Sequence, residues 1–265
     1  MRIAWASDLH LDQCSLTRAG RFYQDVIVAE PHILVVCGDI AEGPLFGHWL
    51  DDMAEAMAPL PIAFVLGNHD AYYDSIPAAR TRARHVAQSH KGLHWLGGEG
   101  VLPLTEHTAL VGVDGWADAR YGNPHAWFGM RDYAEIADFV GLRRTECHAR
   151  MRQLGDEAAA RLRELLDEAL PRFDEVVVVT HVPPFAEAAR FDGGPADETA
   201  LPHFTCKAVG EALLSMAMLY PDKCITVLCG HTHERAEVQV WKNLLVRVAH
   251  AQYGQPELQP VLEVP

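Results

Sequence analysis

The sequence predicts an α/β protein whose sheets consist mainly of buried parallel strands. Three observations support this prediction. Short apolar runs such as residues 33–37 and 176–179 have the length and the β-branched content of strands that are covered on both faces. Segments with helical spacing of apolar residues lie between these runs. Several runs end in a small residue followed by Asp, Asn or His, and open α/β sheets bind their ligands at that end of the strands.

The first third of the chain alternates predicted strands with predicted helices. Pro31 ends the first helix, because proline has no backbone N–H to donate. Gly38 allows the chain to turn sharply after the second strand. Phe46, Trp49 and Met53 recur at helical spacing, and we interpret them as core residues of the second helix. The predicted strands are 3–7, 33–37 and 62–66, and the predicted helices are 16–29 and 44–57.

The remainder of the chain continues the alternation. Residues 145–170 form the longest predicted helix, since apolar residues from Met151 to Ala169 repeat at spacings of three and four. Residues 191–203 are rich in Gly, Pro and Asp, which predicts a loop. The other predicted elements are helices 75–89 and 209–219, strands 93–96, 109–113, 176–180 and 225–229, and an antiparallel hairpin of 236–240 with 244–249.

One long segment, residues 116–140, lacks clear periodicity but contains several aromatic side chains. The aromatic content argues against disorder, and a loop of this length inside a compact protein is usually functional. We interpret the segment as a flap over a functional site and call it the flap below. A surface excursion packed by its own aromatic residues is the alternative interpretation.

The composition limits the possible functions. A chain of 265 residues can form one large domain or two small ones, and we expect a single domain over 1–265 with the flap as an insertion. The net charge of −14 argues against binding to a nucleic-acid polymer. No apolar run approaches the roughly 18 residues of a membrane span. Six cysteines without a CxxC pair and an N-terminus that enters a strand at once predict a cytoplasmic protein.

Polar residues at the predicted strand ends form a candidate metal site. Asp8 and His10 are two residues apart, so on an extended segment both side chains would face one ion. The whole set combines carboxylate, amide and imidazole donors without thiolate, which suits Mn, Fe, Zn, Co or Ni. Seven donors exceed one tetrahedral site but fit two ions that share a carboxylate. The set is Asp8, His10, Asp39, Asn68, His181, His231 and His233.

At these motifs the sequence resembles the calcineurin-like metallophosphoesterases. The matching motifs, in order, are Asp8-Leu9-His10, Gly38-Asp39, Gly67-Asn68-His69-Asp70, His181 and Gly230-His231-Thr232-His233. The resemblance implies a four-layer α/β/β/α sandwich of two mixed sheets flanked by helices. It also implies two divalent metal ions: Asp8, His10 and His233 would hold the first, and Asn68, His181 and His231 the second. Asp39 would bridge the two ions.

The resemblance also implies the reaction, which is hydrolysis of a phosphate ester by a water that the two ions activate. His69 would act on the leaving group as a general acid or charge stabiliser, and Asp70 would orient it. A small phosphodiester or nucleotide is favoured as substrate, with a phosphomonoesterase or protein phosphatase as the alternative. A catalytically silent interaction module on the same fold and a structural metal protein are the remaining hypotheses.

Substrate contacts are predicted mainly in the flap. The candidates there are Trp116, Arg120 and His125, with Arg131 as a fourth, and further candidates after His181 are Phe185, Phe191 and His203. Each has packing within its loop as the alternative interpretation. Glu234-Arg235 directly follows the last motif, where many relatives have small residues. We expect these two residues to form an exposed ion pair, with a contact to substrate as the alternative.

Overall fold

Short apolar segments form the strands of this protein, and amphipathic segments between them form its helices. The computed structural model describes residues 1–265. The elements up to the flap are β1 (Arg2–Ala6), α1 (Leu16–Val28), β2 (Ile33–Val36), α2 (Leu45–Ala56), β3 (Ile62–Phe64), α3 (Ile76–Ser89), β4 (Leu93–Trp95), β5 (Leu102–Pro103) and β6 (Thr108–Gly112).

The elements from the flap onward complete the chain. They are α4 (Asp132–Glu135), α5 (Arg144–Ala169), β7 (Glu175–Val179), β8 (Arg190–Phe191), β9 (Gly194–Pro195), α6 (Leu201–Phe204), α7 (Lys207–Leu219), β10 (Cys224–Cys229), β11 (Ala236–Trp241), β12 (Leu244–Val248) and β13 (Leu262–Glu263). No helix combines the length and the apolar character needed to cross a membrane.

The strands form two large mixed sheets and one small hairpin. The first sheet has the order β13-β1-β2-β3-β4, in which β1 to β4 are parallel and β13 pairs antiparallel with β1. The second has the order β11-β12-β10-β7-β6-β5, with antiparallel strands only at its two edges. Strands β8 and β9 pair with each other alone.

Successive side chains of each strand point to opposite faces of the sheet, so the core is divided into layers. In β1, Ile3 and Trp5 belong to a buried cluster that also contains Val177 and Val179 of the second sheet, so the two sheets pack face to face. Ala4 and its neighbours on the other face of β1 pack instead in the cluster that includes the helices. The arrangement is a four-layer α/β/β/α sandwich, which confirms the predicted fold class.

The predicted boundaries differ from the observed ones in informative ways. Four of the five strands before the candidate ligands end one or two residues earlier than predicted, at Ala6, Val36, Phe64 and Val179, whereas β10 ends at Cys229 as predicted. The segment predicted as a loop, 191–203, contains part of the β8–β9 hairpin and the start of α6. These elements are two to four residues long, too short to show a periodic pattern in the sequence.

Candidate dinuclear metal centre

The carboxyl ends of strands from both sheets converge on one site. Asp8, Asp39 and Asn68 follow β1, β2 and β3 of the first sheet, and each side chain is buried. His181 and His231 follow β7 and β10 of the second sheet. Because the two sheets pack face to face with these strand ends at one edge, the five side chains meet although they are far apart in the sequence.

The first group of donors consists of Asp8, His10 and His233, whose potential ligand atoms all lie within 4.8 Å of one another. The Nε2 atom of His233 lies 3.3 Å from Oδ1 of Asp8 and 3.4 Å from Nε2 of His10. Oδ2 of Asp39 lies 4.0 Å from Nε2 of His10. These nitrogen and oxygen atoms surround a position suitable for a divalent cation.

The second group consists of Asp39, His181 and His231, again within 4.8 Å of one another. Nε2 of His181 lies 3.3 Å from Oδ2 of Asp39 and 3.2 Å from Oδ1 of Asn68. The same Nε2 atom lies 3.2 Å from Nδ1 of His231. The carboxylate of Asp39 therefore borders both groups of donors, as a bridging ligand requires.

Hydrogen bonds to backbone carbonyls set the orientation of two imidazole rings. His181 donates from Nδ1 to the Cys37 carbonyl oxygen at 2.8 Å. His231 donates from Nε2 to the His203 carbonyl oxygen at 3.0 Å. The other nitrogen of each ring, Nε2 of His181 and Nδ1 of His231, is thereby directed into the site as a ligand atom.

Charges and burial favour a cation at the second group. Burial lowers the pKa of His231 to about 3, with the positive charge of His181 adding to the effect. Burial also opposes a charge on His181, but Asp39 and then Asp8 raise its pKa to about 10. A proton on Nε2 of His181 can be donated to only one of the surrounding acceptors at a time. A divalent cation can bind these acceptors and the His181 nitrogen together, so the donors fit a metal ion.

The backbone around the site is strained. Nine residues other than glycine have positive φ, and five of them are predicted ligands: Asp8 (52°), His10 (41°), Asp39 (52°), His231 (70°) and His233 (59°). Such conformations cost roughly 1–3 kcal/mol each and concentrate at functional sites. The extended segment predicted for Asp8 and His10 is therefore wrong, since a left-handed backbone at both residues turns their side chains towards each other.

The Asp70 carboxylate makes no hydrogen bond to the His69 ring, so it does not orient that ring as predicted. The carboxylate instead accepts hydrogen bonds from the backbone amides of Gly67, Asp39, Ile40 and Ala41 at 2.8–3.3 Å. Asp70 thus holds the turns after β2 and β3 together, which positions Asp39 and Asn68.

Glu42 occupies the place beside His69 that the sequence suggested for Asp70. Its Oε1 atom lies 3.5 Å from Nδ1 of His69 and accepts a hydrogen bond from Arg131 at 2.6 Å. The other nitrogen of His69, Nε2, lies 4.0 Å from Oδ2 of Asp39. Sequence reasoning missed Glu42 because nothing in the local pattern distinguishes it from other acidic loop residues.

An open cavity of about 300 Å³ lies over the donor atoms. Arg131, Phe191 and Tyr253 contribute to its walls together with Asp39 and His69. Arg131 and Phe191 were among the predicted substrate contacts, whereas Tyr253 was not. No sequence pattern marks Tyr253, which reaches the site on an irregular segment after β12.

Five of the seven predicted substrate contacts lie outside the lining of the open cavity: Phe185, His203 and three residues of the flap. Trp116 is buried and borders an adjoining narrow cavity of about 10 Å³, which Asn68 and His231 also line and which holds no more than about one water molecule. Arg120 pairs with Asp118 at 3.0 Å and with Asp156 at 2.8 Å, away from the open cavity. His125 also lies outside the cavity lining. None of the three flap residues therefore lines the open cavity, and a contact between any of them and substrate stays a prediction.

Glu234 and Arg235 do not form the expected ion pair. Glu234 accepts a hydrogen bond from the Gly193 amide at 2.7 Å and lies 3.7 Å from Arg190. Arg235 donates to Gln259 at 3.3 Å. Glu234 therefore fastens the β8–β9 hairpin, which carries Phe191, beside the cavity.

Two β-sheets packed face to face between helices, with Asp, Asn and His side chains converging at the strand ends, define the class of metallophosphoesterases. The family model described as calcineurin-like phosphoesterase matches residues 1–235. The chain belongs to this family of metal-dependent hydrolases, which act on phosphoric ester bonds. No curated protein shows a significant sequence match to the chain.

Solved structures share the fold at low sequence identity. A dimetal phosphatase from Danio rerio is 12% identical, with a TM-score of 0.57 over 94% of this chain and 86% of that one. The protein TT1561 of Thermus thermophilus is 15% identical, with a TM-score of 0.55 over 94% and 88%. A 5'-nucleotidase from Candida albicans is 10% identical, with a TM-score of 0.51 over 94% of this chain but only 45% of that one.

Proposed function

We propose that this phosphoesterase hydrolyses a small phosphodiester or nucleotide at a dinuclear metal centre in the open cavity. One observation carries the proposal: seven nitrogen and oxygen donors from five strand ends converge around Asp39. Five of these donors are on strained backbone. A fold maintains so much strain and so many buried polar groups only when they serve a site.

The donor groups divide between two ions. Asp8, His10 and His233 would hold the first ion, and Asn68, His181 and His231 the second, with Asp39 between them. When bound, two such ions activate water and neutralise charge on the phosphoryl oxygens. Three of the seven donor groups offer carboxylate or amide oxygens, which suit manganese, and we propose manganese as the activating metal.

The protein's own groups would bind the ester and supply a proton. The Glu42 carboxylate, 3.5 Å from Nδ1 of His69, would stabilise a protonated ring by its charge, which leaves Nε2 free to donate to the departing oxygen. Arg131 is the cation in the cavity wall, where its guanidinium would pair with a phosphate oxygen. Asp70 would act through the backbone turns rather than through His69.

The cavity supports a small substrate. A volume of about 300 Å³ is at the lower end of the range for small-molecule sites. Phe191 and Tyr253 offer aromatic surface to an organic group on the phosphate. A phosphomonoester or a phosphoprotein is the alternative substrate. A catalytically silent interaction module is disfavoured because the seven donors and His69 lie together at one site.

The proposal extends to the organisation and location of the protein. We propose that residues 1–265 act as one domain in which the flap forms part of the cavity wall through Met130 and Arg131. All six cysteines are free thiols, and Cys37 and Cys229 are buried in apolar surroundings. Free thiols support a reducing compartment such as the cytoplasm.

Turnover of two chromogenic esters tests the proposal. Chelator-treated protein would be supplied with Mn²⁺ and assayed with bis(p-nitrophenyl) phosphate and with p-nitrophenyl phosphate. We expect metal-restored cleavage that is faster on the diester, and none in Asp39→Asn. Faster cleavage of the monoester would favour the alternative substrate. Absence of both metal binding and cleavage would support the interaction module.

A further inference from the structure

A carboxylate of the flap contacts one of the candidate metal ligands directly. Asp132 lies in α4, and its Oδ1 atom accepts a hydrogen bond from Nδ2 of Asn68 at 2.9 Å. We propose that Asp132 is a positioning residue that keeps the oxygen of the Asn68 amide directed at the second metal ion. This inference rests on the proposed function, since it concerns the ligand set of the same centre.

The argument depends on the two unlike ends of an asparagine amide. Only the oxygen can ligate a cation, whereas the NH₂ end is a donor. An ionised carboxylate accepts hydrogen bonds and donates none, so Asp132 selects the NH₂ end and leaves Oδ1 of Asn68 facing Nε2 of His181 at 3.2 Å. The Tyr72 hydroxyl, 3.4 Å from Nδ2 of Asn68, donates its single proton to Asp132 and can therefore only accept from Asn68, so Asp132 also makes Tyr72 favour the NH₂ end.

The same carboxylate oxygen also restrains the surroundings of His69. The Tyr72 hydroxyl donates to Oδ1 of Asp132 at 2.8 Å. The Tyr72 ring stacks on the His69 ring with centroids 4.2 Å apart. One flap residue is thereby connected to a ligand of the second metal and to the ring that supports the proposed proton donor. The flap would thus build the site as well as cover it.

A second flap carboxylate provides a matched control. Asp138 accepts a hydrogen bond from the Ile76 amide at 2.8 Å and pairs with Arg150 at 3.2 Å. It fastens the flap to the chain just after Tyr72 but contacts no candidate ligand. If Asp132 only held the flap in place, loss of either carboxylate would have similar consequences for metal binding.

Mn²⁺ titration of the chelator-treated full-length protein tests the inference. Asp132→Asn keeps the size of the side chain, but its amide can pair with either end of Asn68 and so loses the selection. We expect the second Mn²⁺ to bind about 10–100-fold more weakly in this variant, the usual range for loss of a partner of a metal ligand. Asp138→Asn is expected to change neither affinity by more than about threefold.

Introducing Asp132→Asn into a protein that already carries Asn68→Asp tests whether the effect comes from the orientation of the Asn68 amide or from a less rigid flap. With a carboxylate at position 68 both ends are oxygens, so orientation no longer matters. Asp132→Asn should then cause no further loss of affinity for the second Mn²⁺, since it also removes the negative charge of Asp132 beside the carboxylate at position 68. Equal losses in the two backgrounds, equal effects of Asp132→Asn and Asp138→Asn, or no effect of Asp132→Asn would each overturn the inference.

Failure of the inference can be distinguished from failure of the proposed function. If the unmodified protein binds fewer than two Mn²⁺ ions, the dinuclear centre itself is refuted, and this inference with it. If the unmodified protein binds two ions and Asp132→Asn binds them equally well, only the role of Asp132 is refuted. Thermal unfolding of each variant checks that it is folded, and Asp132→Ala provides a second substitution if the asparagine variant does not fold.

Discussion

The Nε2 atom of His181 and the Nδ1 atom of His231 face each other at 3.2 Å, while the opposite nitrogen of each ring donates to a backbone carbonyl. Asp39 and Asp8 raise the pKa of His181 to about 10, so without a metal ion a proton on Nε2 of His181 would occupy the position that a cation can take. The hydrogen bonds to the Cys37 and His203 carbonyls prevent either ring from turning away. The geometry is thus set for a metal ion before any ion binds.

Asp39→Asn is expected to disrupt both metal sites. Oδ2 of Asp39 lies 3.3 Å from His181 and 4.0 Å from His10, so it borders both donor groups. An amide lacks the charge that offsets two divalent cations. Elemental analysis of purified protein should show less than half of the normal metal content. Full occupancy in the variant would refute the bridging assignment.

His69→Ala is expected to retain metal but to lose turnover on esters with poor leaving groups by about 100-fold or more, the usual contribution of general acid catalysis. Esters with good leaving groups need less help from a proton and should be less affected. Glu42→Gln should show the same dependence on leaving group with a smaller loss. Loss of metal in His69→Ala would remove His69 from its assigned role.

The convergence of the candidate metal ligands could be predicted from the sequence because they follow apolar strands closely. Each strand is a local pattern, and the carboxyl ends of parallel strands meet at one edge. The pattern alone is insufficient, as Asp114 shows. It follows β6 in the same way but accepts hydrogen bonds from the Leu66 amide and the Trp95 indole at 3.0 Å and pairs with Arg80. It fastens two strands together and takes no part in the site.

The partners of the candidate ligands could not be predicted, because irregular segments and one helix of four residues carry them. The folding of the connecting segments brings Glu42, Asp132 and Tyr253 to the site. No periodic pattern in the sequence predicts the course of such segments. The predicted flap contacts illustrate the same limit. Residue type alone did not distinguish Arg131, which lines the cavity, from Arg120, which pairs with acidic neighbours.

Substitution of these two arginines should separate their roles. Arg131→Ala is expected to raise the KM for a phosphate ester by about tenfold, the loss expected for one partly exposed charge-assisted contact. Arg120→Ala should leave KM unchanged, since its guanidinium is held by Asp118 and Asp156. Steady-state kinetics on both variants measures the difference. An equal rise in KM for both would contradict the assignment.

Gly230 is expected to tolerate no side chain. A Cβ atom at this position would overlap with Oγ of Ser7 and Oδ2 of Asp8, so Gly230→Ala should displace Asp8 and weaken the first metal. Overpacking of this kind costs roughly 1–3 kcal/mol. Gly20 in α1 has no atom within 4 Å of the same position, so Gly20→Ala should instead stabilise the protein by about 0.5–1 kcal/mol. Urea unfolding compares the two variants.

Acid sensitivity should arise in part from His148, which lies on the buried face of α5 with no hydrogen-bond partner for Nε2. Burial lowers the pKa of His148, and the positive charges of Arg144 and Arg152 lower it further. The unfolded state therefore binds more protons than the folded state once the pH falls below about 6.5, and stability decreases with falling pH.

His148→Leu removes this titration, so the free energy of unfolding should fall less between pH 7 and pH 5 in the variant than in the unmodified protein. Urea unfolding in excess chelator measures both slopes without a contribution from acid-induced metal release. Equal slopes would show that His148 does not contribute. A steeper slope in the variant would reverse the sign derived from the burial of the ring, because only a histidine that gains protons on folding stabilises the protein in acid.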